Sequence, residues 1–146
     1  MKRAVQHTSS AAVMAVAAEL SRRGYDITLT LGNTRKVDML CSVPDGSLFK
    51  IQVKGISNPN GFYIDKSFFE GVTQKDLFLV VVLVPKEAAS PFQFFVLSHA
   101  EAKKEFSKMR THKRDRRPYP NGNGLNWGSI ESYRGAWGTF PTVSEG

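Results

Sequence analysis

Cysteine is almost missing from this chain. Cys41 stands alone among 146 residues, which excludes an internal disulfide framework and a cysteine-built zinc site. A reducing compartment is the expectation. Long apolar runs are missing as well: none exceeds eight residues, against about 20 needed to cross a bilayer. Lys2 and Arg3 followed by Ala11 to Ala18 imitate a signal peptide. However, His7, Thr8, Ser9 and Ser10 separate charge from run, and the helical pattern continues through Glu19 and Leu20. A cytoplasmic protein without a membrane partner is therefore expected. Acids are in short supply, with 13 Asp and Glu against 20 Lys and Arg and a net charge of +7, a balance that favours polyanionic partners. No internal repeat or second boundary interrupts the chain, so residues 1–146 are expected to form one domain. What is abundant is core material: 41% hydrophobic and 11% aromatic residues, with ten Phe. That excludes a disordered chain, which lacks the apolar surface to offset its ordering entropy.

Val13, Val16, Ala17, Leu20 and Gly24 recur at helical spacing, predicting a helix from about Ser9 to Arg23. Thr8, Ser9 or Ser10 could cap its start, and Gly24 is a natural stop. Tyr25 to Leu31, Val37 to Val43 and Phe49 to Val53 then alternate apolar and polar residues, predicting three strands. Pro44-Asp45-Gly46 has turn chemistry between the last two. After a loop at Asn58 to Gly61, Phe62 to Ile64 reads as a short strand. Leu77 to Val84 reads as a strand covered on both faces, and Phe92 to Leu97 as another. A helix follows from Ala100 to about Met109, with Ser98 as its candidate cap. The tail is rich in Gly, Asn and aromatics, and Trp127, Tyr133 and Trp137 are expected to cover the core. Cys41 turns inward on its strand. His7, His99 and His112 lack ligand spacing, so structural or surface roles are expected of them.

The hairpin register follows from the apolar pattern. With Pro44, Asp45 and Gly46 as the loop and Gly46 in the left-handed position, Val43 faces Ser47. Asp38 then falls opposite Gln52, Leu40 opposite Lys50 and Lys36 opposite Lys54. A one-residue slip would send the apolar set to solvent. The register thus gathers Asp38, Gln52 and Lys54 on one sheet face. Carboxylate and carboxamide oxygens are hard ligands of the kind Mg²⁺ accepts. A neighbouring ammonium can offset charge at a phosphoryl centre. The ordinary alternative is a polar sheet face, where such a pair is worth little.

A second cluster is basic. Lys103, Lys104, Lys108, Arg110, Lys113, Arg114, Arg116 and Arg117 stand against Glu105 and Asp115 alone. Eight cations less two acids place a surplus of six there, a density suited to phosphate contacts along a nucleic acid.

The run Val37-Asp38-Met39-Leu40, the Pro-Asp-Gly turn and Ile51-Gln52-Val53-Lys54-Gly55 resemble the PD-(D/E)XK nuclease superfamily, in the branch written D…QxK. The segment Ala18 to Tyr25 resembles the end of that family's first helix. Holliday-junction resolvases, restriction enzymes and intron-encoded endonucleases belong to it. The resemblance covers about Ser9 to Leu97 and implies an α/β (α+β) restriction-endonuclease-like αβββαβ core, a mixed sheet flanked by helices. It implies Mg²⁺ or Mn²⁺ held by Asp38 and Gln52, Lys54 as the catalytic lysine, and hydrolysis of duplex or branched DNA. It does not explain the basic segment or the tail; of these, Lys103 to Arg117 would grip backbone phosphates. It further implies a bacterial, archaeal or phage-encoded protein and a homodimer that cuts two strands. Glu19, Asp26 and Lys36 are auxiliary candidates. The literal Pro44-Asp45 is a decoy at the turn tip. Two departures stand out: Met14 occupies the place where many members carry a Glu, and Gln52 is neutral. The alternative is therefore a weakened nuclease-fold module that binds nucleic acid or a partner protein.

Overall fold

The computed structural model describes residues 4–30, 37–111 and 124–143. Helix α1 spans Val5–Arg22 and buries Ala12, Val16 and Leu20 completely, one stripe at four-residue spacing. It begins four residues before the expected Ser9, and Ala4 at its N-cap makes no side-chain capping bond. Thr8 lies inside the helix and is buried. No side chain caps the first turn, and of its residues 5–8 only Thr8 is buried. Its end is as expected: Gly24 has φ +94°, its N–H reaches the Ser21 carbonyl, and the Tyr25 N–H reaches that of Leu20. These are the paired bonds of a Schellman motif.

Strands β1 (Asp26–Leu29), β2 (Met39–Ser42) and β3 (Leu48–Ile56) form an antiparallel meander. The β2–β3 ladder pairs Ser42 with Leu48, Cys41 with Phe49, Leu40 with Lys50 and Met39 with Ile51. This is the register the alternation selects. Gly46 closes the turn at φ +96°, and the Val43 N–H donates to the Ser47 carbonyl at 3.1 Å. Strand β5 (Leu77–Leu83) runs parallel to β3, and β6 (Gln93–Ser98) antiparallel to β5, giving the order β1-β2-β3-β5-β6. The mixed five-strand sheet with flanking helices is of the α+β class, as expected. Where the resemblance implied a helix between β3 and β5, the crossover instead carries the two-residue strand β4 (Phe62–Tyr63) and a 3₁₀ turn at Lys66–Phe68.

Helix α2 (His99–Thr111) opens with a capping box. Ser98 Oγ accepts the Glu101 N–H, and Glu101 Oε1 accepts the Ser98 N–H. Strand β7 (Gly124–Leu125) pairs with β4, and α3 (Trp127–Ile130) follows it. The sheet separates two apolar cores. One lies under α1 and includes Phe49, Ile51, Phe78, Val80 and Phe140. The other lies beneath α2, the crossover and the tail, and includes Phe62, Ile64, Phe68, Leu125 and Ile130. Strand β5, buried on both faces, is the shared wall. The aromatic tail is core material, as expected: Trp127 meets Phe95 edge to face at 4.7 Å, and Trp137 packs on Phe94 at 5.2 Å.

Candidate functional site

Strand β3 is nine residues long and β2 only four. From Gln52 onward β3 pairs with β5 on one side, Gln52 beside Leu79 and Lys54 beside Val81, while the β2 ladder has ended at Met39. The notch left along this edge is the floor of a cleft of about 590 Å³, lined there by Asp38, Gln52 and Lys54. Ser9 and Val13 of α1 form one wall, and Tyr63, Asp65 and Lys66 of the crossover form another. Gly55 makes the closeness possible. A Cβ there would stand 2.8 Å from Ala12 Cβ and 2.9 Å from the Thr8 carbonyl oxygen, so only glycine lets the helix sit this near the strand.

Asp38 does not stand opposite Gln52 in the ladder. Its N–H donates to the carbonyl of Ile51, the residue already paired with Met39, a β-bulge arrangement that offsets the aspartate by one place. Its Oδ2 accepts the Val53 N–H at 2.7 Å. The carboxylate thereby takes the part of the missing strand carbonyl and satisfies an edge amide that would otherwise be orphaned. Burial pushes the Asp38 carboxyl above the usual carboxylate range, and the Val53 bond offsets part of that. Burial also pulls the Lys54 ammonium below the usual lysine range. Neither residue forms an ion pair among the described residues. Gln52 Oε1 is buried without a hydrogen-bond partner, although a buried carboxamide oxygen ordinarily has one.

These three observations bear on whether a cation fits. A half-buried carboxylate with one N–H partner and an orphaned carboxamide oxygen on one cleft floor are hard donors with room for a further partner. That suits Mg²⁺ or Mn²⁺, which take one or two carboxylates and complete their shell with water and phosphate. Among the described residues there is no cluster of three or more His, Cys, Asp or Glu side chains able to hold a metal.

The other expected residues are placed as follows. Glu19 pairs with Arg22 and Arg23 on α1, and Asp26 starts β1 opposite Ser42, so neither reaches the cleft. Met14 is 58% exposed and also lies outside it. Asp45 caps the Ser47 N–H at the hairpin tip, away from the cleft. Lys103 Nζ donates to the Gly71 carbonyl at 2.6 Å and to Thr73 Oγ1, while Lys108 bonds buried Glu105 at 3.0 Å. Two lysines read as phosphate contacts thus already have protein partners, Lys103 on the crossover and Lys108 one turn back on α2 itself. Lys104 is exposed on α2. Lys36, Lys113, Arg114, Arg116 and Arg117 lie outside the described residues, as does the side chain of Arg110. His99 is a satisfied core residue: Nδ1 accepts the Gln74 N–H and Nε2 donates to the Phe68 carbonyl. The cleft residues not read from the sequence as site residues are Ser9, Tyr63 and Asp65. The alternation of Phe62 and Ile64 with Tyr63 and Asp65 was the available signal.

No family model matches the chain, and no curated protein matches it. Among solved structures it is similar to a bacterial homing endonuclease, I-Ssp6803I, with a TM-score of 0.54 and 16% identity. The likeness covers 94% of this chain and 91% of that one. It is a likeness of fold, and it extends well beyond the Ser9 to Leu97 core that the motif resemblance covers.

Proposed function

We propose that this protein is a metal-dependent endonuclease of the PD-(D/E)XK kind that hydrolyses DNA phosphodiester bonds in the Asp38–Gln52–Lys54 cleft. The observation that carries the reading is the convergence of a half-buried carboxylate, an orphaned carboxamide oxygen and a partly desolvated ammonium on one open cleft floor. Gln52 Oε1 and Lys54 have no structural partner among the described residues, the Asp38 carboxylate has only the Val53 N–H, and together the three complement a phosphate and its cation. The fold shared with a homing endonuclease supports the same reading. Asp38 and Gln52 would hold Mg²⁺ or Mn²⁺, which when bound supplies Lewis-acid activation of water and phosphate.

The chain's own residues do the rest. The Val53 N–H fixes the Asp38 carboxylate, so the oxygen facing the cleft is oriented before substrate arrives. Lys54, stripped of part of its water, gains most from an arriving anion. Its fixed positive charge opposes the negative charge that builds on the phosphoryl oxygens as the water oxygen joins phosphorus and the P–O ester bond breaks. Each such group is worth about 3–4 kcal/mol, or 10²–10³ in rate.

The test is cleavage of linear duplex, branched and single-stranded DNA with Mg²⁺, Mn²⁺ or EDTA, beside Lys54→Ala. The expected outcome is metal-dependent cleavage that falls about 10²-fold or more in Lys54→Ala with the melting curve intact. Folded wild type that cuts no DNA form with either metal would hand the site to the binding-module reading.

A further inference from the structure

We infer that the crossover wall of the cleft is a phosphate subsite, in which Lys66 holds a phosphodiester next to the one presented to Lys54. This rests on reading the cleft as a nuclease site.

The wall is built for placement. Phe62, Ile64 and Phe68 are each at most 5% exposed and root the segment in the second core, while β4 is tied to β7 through Phe62–Leu125 and Tyr63–Gly124. Between these anchors Asp65 Oδ1 accepts the Ser67 N–H at 2.8 Å and the Ser67 hydroxyl at 2.6 Å. That capping bond starts the 3₁₀ turn on which Lys66 stands, so the backbone beneath the lysine is held while its side chain reaches out.

The charge of Lys66 is also differently placed from that of its neighbours. Lys50 bonds Gln74 at 2.7 Å, Lys103 the Gly71 carbonyl, and Lys108 the buried Glu105. Among the described residues Lys66 has only Glu70 at 3.6 Å, one turn along the same exposed surface, and its side chain is 69% exposed. A contact of that length between solvated side chains is easily exchanged for a phosphate. Lys54 lines the floor of the cleft and Lys66 its crossover wall, so a strand laid through it meets both cations. Lys54 sits among the reacting groups. Lys66 touches only the flanking backbone, and its contribution is to binding and register.

The experiment measures binding of labelled duplex DNA in EDTA over about 50 to 200 mM salt, then steady-state cleavage with Mg²⁺. Lys66→Ala should lower the slope of log affinity against log salt by about 0.9, the loss of one phosphate contact on duplex DNA. Across that salt range the wild-type advantage should shrink about threefold. KM should rise, while kcat stays within about twofold. Glu70→Gln, which removes the competing carboxylate, should tighten binding. Melting curves should not move, since both side chains are exposed. An unchanged salt slope with unchanged KM in Lys66→Ala overturns the subsite. So does a fall in kcat alone, which would make Lys66 part of the reacting centre. Because the binding arm needs no metal and no cleavage, an inactive wild type that binds DNA removes the nuclease reading and still judges Lys66. A wild type that binds no DNA overturns both.

Discussion

Asp38 carries two duties that pull against each other. Its carboxylate closes the β3 edge by accepting the Val53 N–H at 2.7 Å, a task an uncharged amide oxygen would do as well. Its charge is held in a partly buried place that raises its pKa, so in the absence of a cation the ionised form costs stability. A raised carboxyl pKa contributes stability only at low pH, and that contribution is lost as pH rises through the folded-state value. Asp38→Asn keeps the acceptor and removes the charge. In EDTA at neutral pH it should therefore be more stable than wild type, by on the order of 1 kcal/mol, while cleavage falls about 10²-fold or more. The stability difference should shrink as pH drops through the raised folded-state value, where the wild-type carboxyl takes up its own proton. Urea melts at neutral and acid pH check this, and a variant less stable than wild type would make Asp38 a structural brace. The residue scale was legible where spacing alone decides. Gln52 and Lys54 share a face because β3 alternates, and the decoy at Asp45 is a turn residue. The bulge that sets Asp38 beside Val53 was not legible, because it depends on where β2 stops. Nor was Asp65, which reaches the cleft through the crossover path.

The hairpin and α1 were readable as elements because their apolar periods are local and a slip would expose them. The crossover was not. Its strand β4 is two residues long and exists by pairing with β7, some 60 positions on, which no local pattern reports. What locks the crossover down is His99, the first residue of α2. Its Nδ1 accepts the Gln74 N–H, so the neutral ring carries its proton on Nε2, where it meets the Phe68 carbonyl at 2.6 Å. A second proton would set N–H against N–H. Burial, and then the positive charges of Lys103 and Lys50, hold the pKa below the usual histidine range, with the Phe68 bond pulling the other way. The sign follows. With the folded-state pKa depressed, stability is full above about pH 6.5, the unfolded value, and falls as pH drops below it, by at most about 1.4 kcal/mol per pH unit. Urea midpoints between about pH 7.5 and 5.5 should decline in wild type, in a window above the ordinary carboxylates. His99→Gln should be flatter across that window, although less stable throughout. Equal pH slopes in the two proteins would mean that the strap does not sense protonation.

At the scale of the whole molecule, the tail decides how the parts cohere. After α3 it crosses from the second core to the first, through Arg134 bridging to Phe95 and Trp137 packed beneath Arg23 at 4.6 Å, and it ends on Phe140. Phe140 is 3% exposed. Its ring stacks on Phe49 at 5.3 Å and meets Phe78 edge-on at 5.0 Å, so one tail residue grips both β3 and β5. Beside it Tyr25, the residue that follows the α1 stop, donates its hydroxyl to the Pro141 carbonyl at 2.6 Å. Aromatic composition made a core-covering tail readable. Its path did not follow from composition, because Phe140 meets partners about 60 and 90 residues earlier. A tail that merely wrapped a finished core would lose little on truncation of this ring. A tail that completes the core should lose about 3–5 kcal/mol in Phe140→Ala, the usual cost of emptying a buried phenylalanine site. That is a large share of the roughly 5–15 kcal/mol that holds a protein together. Urea unfolding followed by both far-ultraviolet circular dichroism and tryptophan fluorescence separates the cases. Coincident curves shifted by several kcal/mol place the tail, the sheet and α1 in one cooperative unit, as a 1–146 domain requires. A shift under about 1 kcal/mol, or a fluorescence transition that precedes the loss of secondary structure, would make the tail an appendage.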